Sequence, residues 1–212
     1  MELNDNFLEA LKKSFFNIIK NEANYLNSKV YLIGGFVRDH LLNRQYKKDI
    51  DIVVVGSGIE LAKAVQKKLK GAKPVQIFKN YGTAMIKYGE INLEFVGSRK
   101  ESYDLKSRNP KVMPGTLDED QKRRDFTINA IAVSLNNKNF GDILDPFNGI
   151  KDLKNKILRT PLDPNITYSD DPLRMLRAIR FATQLDFTIN GNSLKAIEQN
   201  ATRIKIISKE RI

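Results

Sequence analysis

Hydrophobic residues recur along this chain in short runs whose spacing switches between helical and alternating, and each switch marks an element. Near the start, Phe7, Leu8, Leu11, Phe15, Ile18 and Ile19 repeat at helical spacing with charges between them. They predict an amphipathic packing helix; no apolar run there is long enough for a signal peptide or a membrane span. Val30-Tyr31-Leu32-Ile33 reads as a short buried strand stopped by Gly34-Gly35. Phe36 to Leu42 follows as a helix with Val37, Leu41 and Leu42 inward. Beyond a charged turn, Arg44 to Lys48, a second strand runs from Asp49 to Val55 and stops at Gly56-Ser57-Gly58. Ile59 to Leu69 has helical period, and Val75 to Phe78, Thr83 to Lys87 and Ile91 to Val96 are strand-like.

Ser98 to Leu117 breaks the pattern. It is polar and charged with two prolines, which predicts a long irregular connection of the kind that serves function. Helical signals resume over Phe126 to Val133, and a strand-like Ile143-Leu144 ends at Asp145-Pro146. From Lys151 strand signals fade, and Pro172 to Leu185 reads as a helix. The pattern predicts an α+β domain over residues 1–145 and a helical segment over 146–212. Ile204 to Ile212 stays periodic with no stop signal, so the helical part is expected to continue in a longer protein. No internal repeat or low-complexity tract is visible.

Composition narrows the chemistry. The chain of 212 residues has no cysteine, which excludes a disulfide framework, a thiolate zinc site and a cysteine nucleophile, and fits a cytoplasmic setting. A single histidine, His40, argues against serine-hydrolase triads and histidine metal clusters. Carboxylates are left to do any acid–base or metal work. Lys and Arg number 36 against 25 Asp and Glu, a net charge of +11 that favours polyanionic partners.

Four groups of residues carry candidate chemistry. Asp49 and Asp51 stand two apart on a strand, so both side chains leave the same face while Ile50, Ile52 and Val54 face the core. Such neighbouring carboxylates repel, and a divalent cation between them relieves the repulsion. Gly34-Gly35, between strand and helix, lets backbone approach a ligand closely, and Arg38 lies one turn into that helix. Arg123-Arg124-Asp125-Phe126-Thr127-Ile128-Asn129 opens a helix in which Asp125 reads as the N-cap, Arg124 reaches phosphate and Asn129 supports the site. In Asp170-Asp171-Pro172-Leu173-Arg174 and onward, Asp171, Arg174, Arg177 and Arg180 spread over one half of a helix, opposite Met175, Leu176 and Ile179. Ala178 on that polar side is expected to leave room for a planar base.

Together these stretches resemble class II nucleotidyltransferases, the family of bacterial CCA-adding enzymes and poly(A) polymerases. Leu32 to Asp39, Asp49-Ile50-Asp51, Arg123 to Ala130, Asp145 to Gly149 with Asp152-Leu153, and Asp171 to Phe181 occur in the family's order. The resemblance implies a nucleotidyltransferase head of DNA polymerase β type, with a mixed sheet of about five strands, then a helical neck, with body and tail absent. It implies two Mg²⁺ ions on Asp49 and Asp51, with Mn²⁺ an acceptable substitute, and Glu94 as a further acidic position on a neighbouring strand. Gly34, Gly35, Arg38, Arg124 and Asn129 are implied around the nucleotide, with Asp171, Arg174, Arg177 and Arg180 towards its base. Ser98 to Leu117 is implied to be a mobile loop near the site. The expected reaction joins CMP and AMP, from CTP and ATP, to a tRNA 3′ end and releases pyrophosphate, with no membrane partner. Poly(A) tailing of another RNA 3′ end is the alternative within the family, a basic RNA-binding module without turnover the alternative outside it, and transfer to a small molecule such as an antibiotic is disfavoured by the basic neck. Nothing in the sequence sets the oligomeric state. Two positions depart from the family: Asp170-Asp171 replaces Glu-Asp, and Asn43 stands where glycine is common, a change asparagine tolerates because it accepts positive φ.

Overall fold

A computed structural model describes residues 3, 5–44, 48–104, 107–208 and 210, with backbone alone at 80, 103–104 and 107–109. The periodic N-terminal stretch forms two helices, α1 (Asp5–Leu11) and α2 (Ser14–Tyr25), separated at Lys12-Lys13. One continuous helix was the expectation. Phe7 and Leu11 of the first helix and Phe15, Phe16 and Ile19 of the second are all buried in one core. Next come β1 (Lys29–Ile33), α3 (Gly35–Leu41), β2 (Asp49–Val55), α4 (Gly58–Lys68), β3 (Gln76–Phe78), β4 (Thr83–Tyr88) and β5 (Ile91–Gly97). The predicted charged turn lies partly outside the described residues, at 45–47. Asn43 does adopt a positive φ of 52°.

Ser98 to Leu117 is not irregular. It forms a two-stranded antiparallel ribbon, β6 (Arg99–Asp104) and β7 (Ser107–Pro114), followed by α5 (Leu117–Lys122). Thr116 and Glu119 close a capping box at the start of α5, satisfying orphan amides there. Phe126 to Val133 also differs from expectation: α6 (Thr127–Ala130) is one turn long, and the chain enters β8 (Ala132–Ser134), which pairs with β1. After β9 (Ile143–Leu144) the chain continues through α7 (Gly149–Lys154), β10 (Ile157–Leu158), α8 (Pro164–Asp170), α9 (Leu173–Leu185), β11 (Thr188–Ile189) and α10 (Gly191–Asn200). Residues 201–206 form 3₁₀ turns, and the end of the periodic stretch at 209 and 211–212 lies outside the described residues.

The main sheet has seven strands in the order β3-β4-β5-β2-β1-β8-β9, two more than expected. Its pairs are antiparallel except β2 with β5. On one face Ile50, Ile52, Val54, Leu93 and Phe95 are fully buried and belong to one core with residues of α2, α3 and α4. Each such side chain contributes about 1.5–3 kcal/mol by leaving water. The other face is apolar only from Val53 onward, where Tyr31, Ile33 and Ala132 join it. The start of β2, with Asp49 and Asp51, is left uncovered by that smaller cluster.

The Asp145-Pro146-Phe147-Asn148-Gly149 stretch is a joint. Both Asp145 oxygens accept backbone N–H groups at the start of α7, at 2.7 Å from Gly149 and 2.9 Å from Ile150. Gly149 lies so close to α6 that a β-carbon there would collide with the Thr127 carbonyl. Thr127 in turn donates its hydroxyl to buried Asp152 at 2.7 Å. Helix α6, which carries Asn129, is thereby locked between β8 and α7.

Candidate active site

Strand register builds the acidic side of a cleft. Antiparallel pairing sets Ile33 opposite Asp51, so the Gly34-Gly35 turn that follows Ile33 lies against the start of β2. Parallel pairing sets Asp51 beside Glu94 and Asp49 beside Asn92, whose amide donates to Asp49 Oδ1 at 2.7 Å. Gly34 adopts φ 79°, ψ −142°, and a β-carbon on it would stand 2.7 Å from Asp51 Oδ2 and 3.4 Å from Arg124 Nη1. Only glycine suits that backbone and that space. Burial pushes the Asp51 carboxyl above the ordinary carboxylate range, against the pull of Arg124, and nearby Asp49 adds to the rise. Burial, then the charge of Asp51, raises Glu94 in the same way. Carboxyls held like this are poised to gain from a cation.

Helices supply the basic side. Arg38 is buried: Nε and Nη2 contact Asp39 Oδ1 at 2.8 and 2.7 Å, and Nη1 donates to Asn129 Oδ1 at 2.9 Å. Asn129 donates to Asp125 Oδ1 at 3.0 Å, and Asp125 Oδ2 accepts Arg177 Nε at 2.8 Å and meets its Nη2 at 2.6 Å. Asp125 is not the expected cap, since Phe126 holds the N-cap position of α6 without a side-chain cap bond; it instead bridges a continuous chain from α3 to α9. Its own burial would raise its pKa, but Arg177, Asn129 and Arg174 together bring it below the usual range. Phe181 sits at the centre of three guanidinium groups, with Arg38 and Arg177 at 5.1 Å and Arg180 at 5.4 Å from its ring. Neither that ring's role nor the bridging by Asp125 was anticipated. The four-residue spacing of Asp125 and Asn129, one helical turn, was the available signal.

Between these two sides lies a cavity of about 390 Å³. Asp49, Asp51 and Glu94 line it from the sheet, Gly34, Gly35 and Arg38 from the turn, and Arg124, Asn129, Arg177 and Arg180 from the helices. Two expected residues are elsewhere. Asp171 Oδ1 caps α9 by accepting the Leu173 amide at 3.1 Å, and buried Arg174 donates to the Arg123 carbonyl at 2.7 Å. Neither lines the cavity. Ala178, expected on the open side, is fully buried in the core, and Ile179, expected on the packed side, is 53% exposed. The helix is rotated relative to the expectation because Arg174 is itself part of the packed face.

Among the described residues, no three His, Cys, Asp or Glu side chains are set to enclose a metal ion. Two carboxylates with a third on the next strand are nonetheless a donor set that suits Mg²⁺, which takes one or two carboxylates and completes its shell with water and substrate phosphate. No helix among the described residues is long and apolar enough to cross a membrane.

Known proteins resemble this chain in sequence and in fold. An A-adding tRNA nucleotidyltransferase of Aquifex aeolicus is 43% identical over 171 residues, 81% of this chain and 20% of that one. A CCA-adding enzyme of Lactobacillus helveticus is 40% identical over 87% of this chain and 44% of its own. A solved tRNA nucleotidyltransferase, complexed with a primer tRNA and an incoming ATP analog, superposes with a TM-score of 0.77 at 36% identity, covering 91% of this chain and 53% of that chain. This chain thus spans between a fifth and about half of the relatives it matches. Residues 30–159, from the first sheet strand to the end of β10, match the profile of the Poly A polymerase head domain, and the chain belongs to that family.

Proposed function

We propose that the chain forms the catalytic part of a tRNA nucleotidyltransferase that adds CMP and AMP, from CTP and ATP, to a tRNA 3′ end. One observation carries this reading: a row of carboxylates on β2 and β5 faces a row of arginines across a single cavity. The two charges are those that nucleotidyl transfer needs, acids for metal and guanidinium groups for a triphosphate. Asp49 and Asp51 would hold Mg²⁺, with Mn²⁺ as a substitute and Glu94 in support; a metal held there would supply charge neutralisation and lower the pKa of the RNA 3′-hydroxyl. Gly34 and Gly35 let the phosphates approach the backbone, and Arg124 contacts them. Arg38 and Asn129 hold the nucleotide's surroundings rigid through Asp125. Arg177 and Arg180 present donors to the base. Asp171 and Arg174 stand behind them, and Arg174 meets a base only by exchanging the Arg123 carbonyl for it.

Residues 1–145 would be the head and 146–212 the beginning of the neck, and the cysteine-free chain suits the cytoplasm. The identity with an A-adding relative favours a second reading in which only the terminal adenosine is added. The test is incubation of the chain with tRNAs ending before, within and after the CC step, with CTP, ATP or both. Two C and then one A establish CCA addition. AMP added only to tRNA ending in CC establishes A-addition. Long A tracts indicate poly(A) tailing, and RNA binding without incorporation indicates a binding module.

A further inference from the structure

Asp120 lies outside the cavity, yet it touches the arginine nearest the acidic pair. It is fully buried on α5. One of its oxygens, Oδ2, accepts Arg124 Nε at 3.3 Å and Nη2 at 3.1 Å. The other, Oδ1, accepts Arg123 Nε at 3.0 Å and Nη2 at 2.6 Å. Each guanidinium is held side-on by a single oxygen, so the Nη1 end of each points away from the carboxylate. For Arg124 that end is the one beside Gly34 and Asp51.

The position of Asp120 is fixed without the arginines. Its neighbour Gln121, also buried, donates to the carbonyls of Ala130 at 2.7 Å and Leu144 at 3.1 Å, tying α5 to the sheet. Thr116 and Glu119 fix the start of the same helix. Arg123 is held on its far side by Glu101 of β6, at 3.1 Å. The carboxylate is therefore a rigid post, and Arg124 is the movable partner.

We propose that Asp120 is a positioning residue for nucleotide binding: it aims Arg124 Nη1 at the phosphates and keeps the guanidinium off Asp51. This rests on the reading of the cavity as a nucleotide site. Two carboxylates compete for Arg124, the half-buried Asp51 and the buried Asp120. Among the described residues Arg124 forms its ion pair with Asp120 and none with Asp51. Without that hold, Coulomb attraction draws Arg124 toward Asp51, where it fills the place of a cation and turns its donors away from an incoming triphosphate. Arginine is required for the arrangement, since only a planar fork offers one edge to a carboxylate and leaves another free.

The experiment measures equilibrium binding of ATP with Mg²⁺ to the chain, without tRNA and therefore without turnover. Asp120→Asn keeps the shape and removes the charge; it should weaken ATP about tenfold, the scale of one hydrogen bond to a charged group. Arg124→Ala should weaken ATP at least as much. The double variant should bind no worse than Arg124→Ala alone, because Asp120 acts through Arg124. Arg124→Lys, which leaves Asp120 untouched, should lose affinity as well although the charge is kept. That variant carries the test if Asp120→Asn fails to fold, as monitored by thermal unfolding. Undiminished ATP binding in Asp120→Asn or Arg124→Lys, beside a weakened Arg124→Ala, overturns the positioning role and leaves the nucleotide site standing. Losses that add in the double variant overturn it too. Unchanged binding in Arg124→Ala overturns both.

Discussion

On the sheet side of the cavity, Asp51 is half-buried and makes no ion pair among the described residues, and burial lifts its carboxyl. On the helix side, Asp120 and Asp125 are more deeply buried, and yet their carboxyls sit below the usual range. For each of these two, burial pulls upward and is outweighed by adjacent arginines: Arg124 and Arg123 for Asp120, and Arg177 for Asp125. The difference separates two uses of one residue type. A buried aspartate with arginines completes the structure. A buried aspartate left without one costs stability and waits for a ligand to supply the missing charge.

The largest effect tests the unpaired side. Asp49→Ala or Asp51→Ala should lower nucleotide incorporation by roughly a thousandfold or more, since each removes a carboxylate proposed to hold the metal. Neither should unfold the protein, because no ion pair is broken. Substantial residual incorporation by either variant, measured with labelled CTP and ATP, would remove the Asp pair from the chemistry.

On the paired side the expected loss is of stability. Asp125→Ala strips the partner from Arg177, frees Asn129 and exposes the Phe126 amide, which is held at 2.8 Å. Removing one member of a buried pair costs about 3 kcal/mol, or roughly 10 °C in a chain of this size. A melting temperature within 2–3 °C of the parent, which is about 1 kcal/mol here, would mean that the chain from α3 to α9 is not a unit.

Much of this was legible in sequence, for local reasons. Asp49-Ile50-Asp51-Ile52-Val53-Val54-Val55 alternates acid with aliphatic and then runs apolar, and β2 has the expected bounds. The glycine turn was legible because it punctuates strand and helix. The ribbon β6–β7 was not, because its residues are mainly polar and no apolar alternation marks a strand. The contact of Glu101 escaped for a different reason: it meets Arg123 across 22 positions, and no spacing rule spans that interval, whereas the Asp120 pairs, three and four positions apart, lay within such a rule. The rotation of α9 was missed because an arginine was assigned to the solvent side, whereas Arg174 is buried with the Arg123 carbonyl as its acceptor. Backbone acceptors leave no mark in side-chain pattern.

The contrast between paired and unpaired carboxylates also has a sign in pH. Raised carboxyls such as Asp51 and Glu94 favour the protonated native state, so their contribution is present at low pH and lost as pH rises through the folded value. The contribution of lowered Asp120 and Asp125 is present above the unfolded value and lost as pH falls through the folded one. Asp51→Asn should therefore stabilise the metal-free protein at neutral pH, with the gain shrinking as the pH approaches about 4. Chemical denaturation in the presence of a chelator measures it. A gain that grows toward acid would mean that Asp51 is paired in solution.

Arg180 offers the smallest and sharpest test, because it sits on the paired side without a carboxylate. Arg177 is fastened to Asp125, whereas Arg180 is exposed and makes, among the described residues, only its contact over the Phe181 ring. If missing partners mark function rather than scaffold, Arg180→Ala should change stability by no more than about 0.5 kcal/mol. It should nevertheless raise the KM for nucleotide by roughly threefold to tenfold, the range of one partly screened contact to an anion or base edge, and that rise should fade at high salt. Arg177→Ala should do both, lowering stability through orphaned Asp125 as well as weakening nucleotide. A thermal shift in Arg180→Ala equal to that of Arg177→Ala would make both arginines parts of the scaffold, and the division drawn across the cavity would not extend to its basic side.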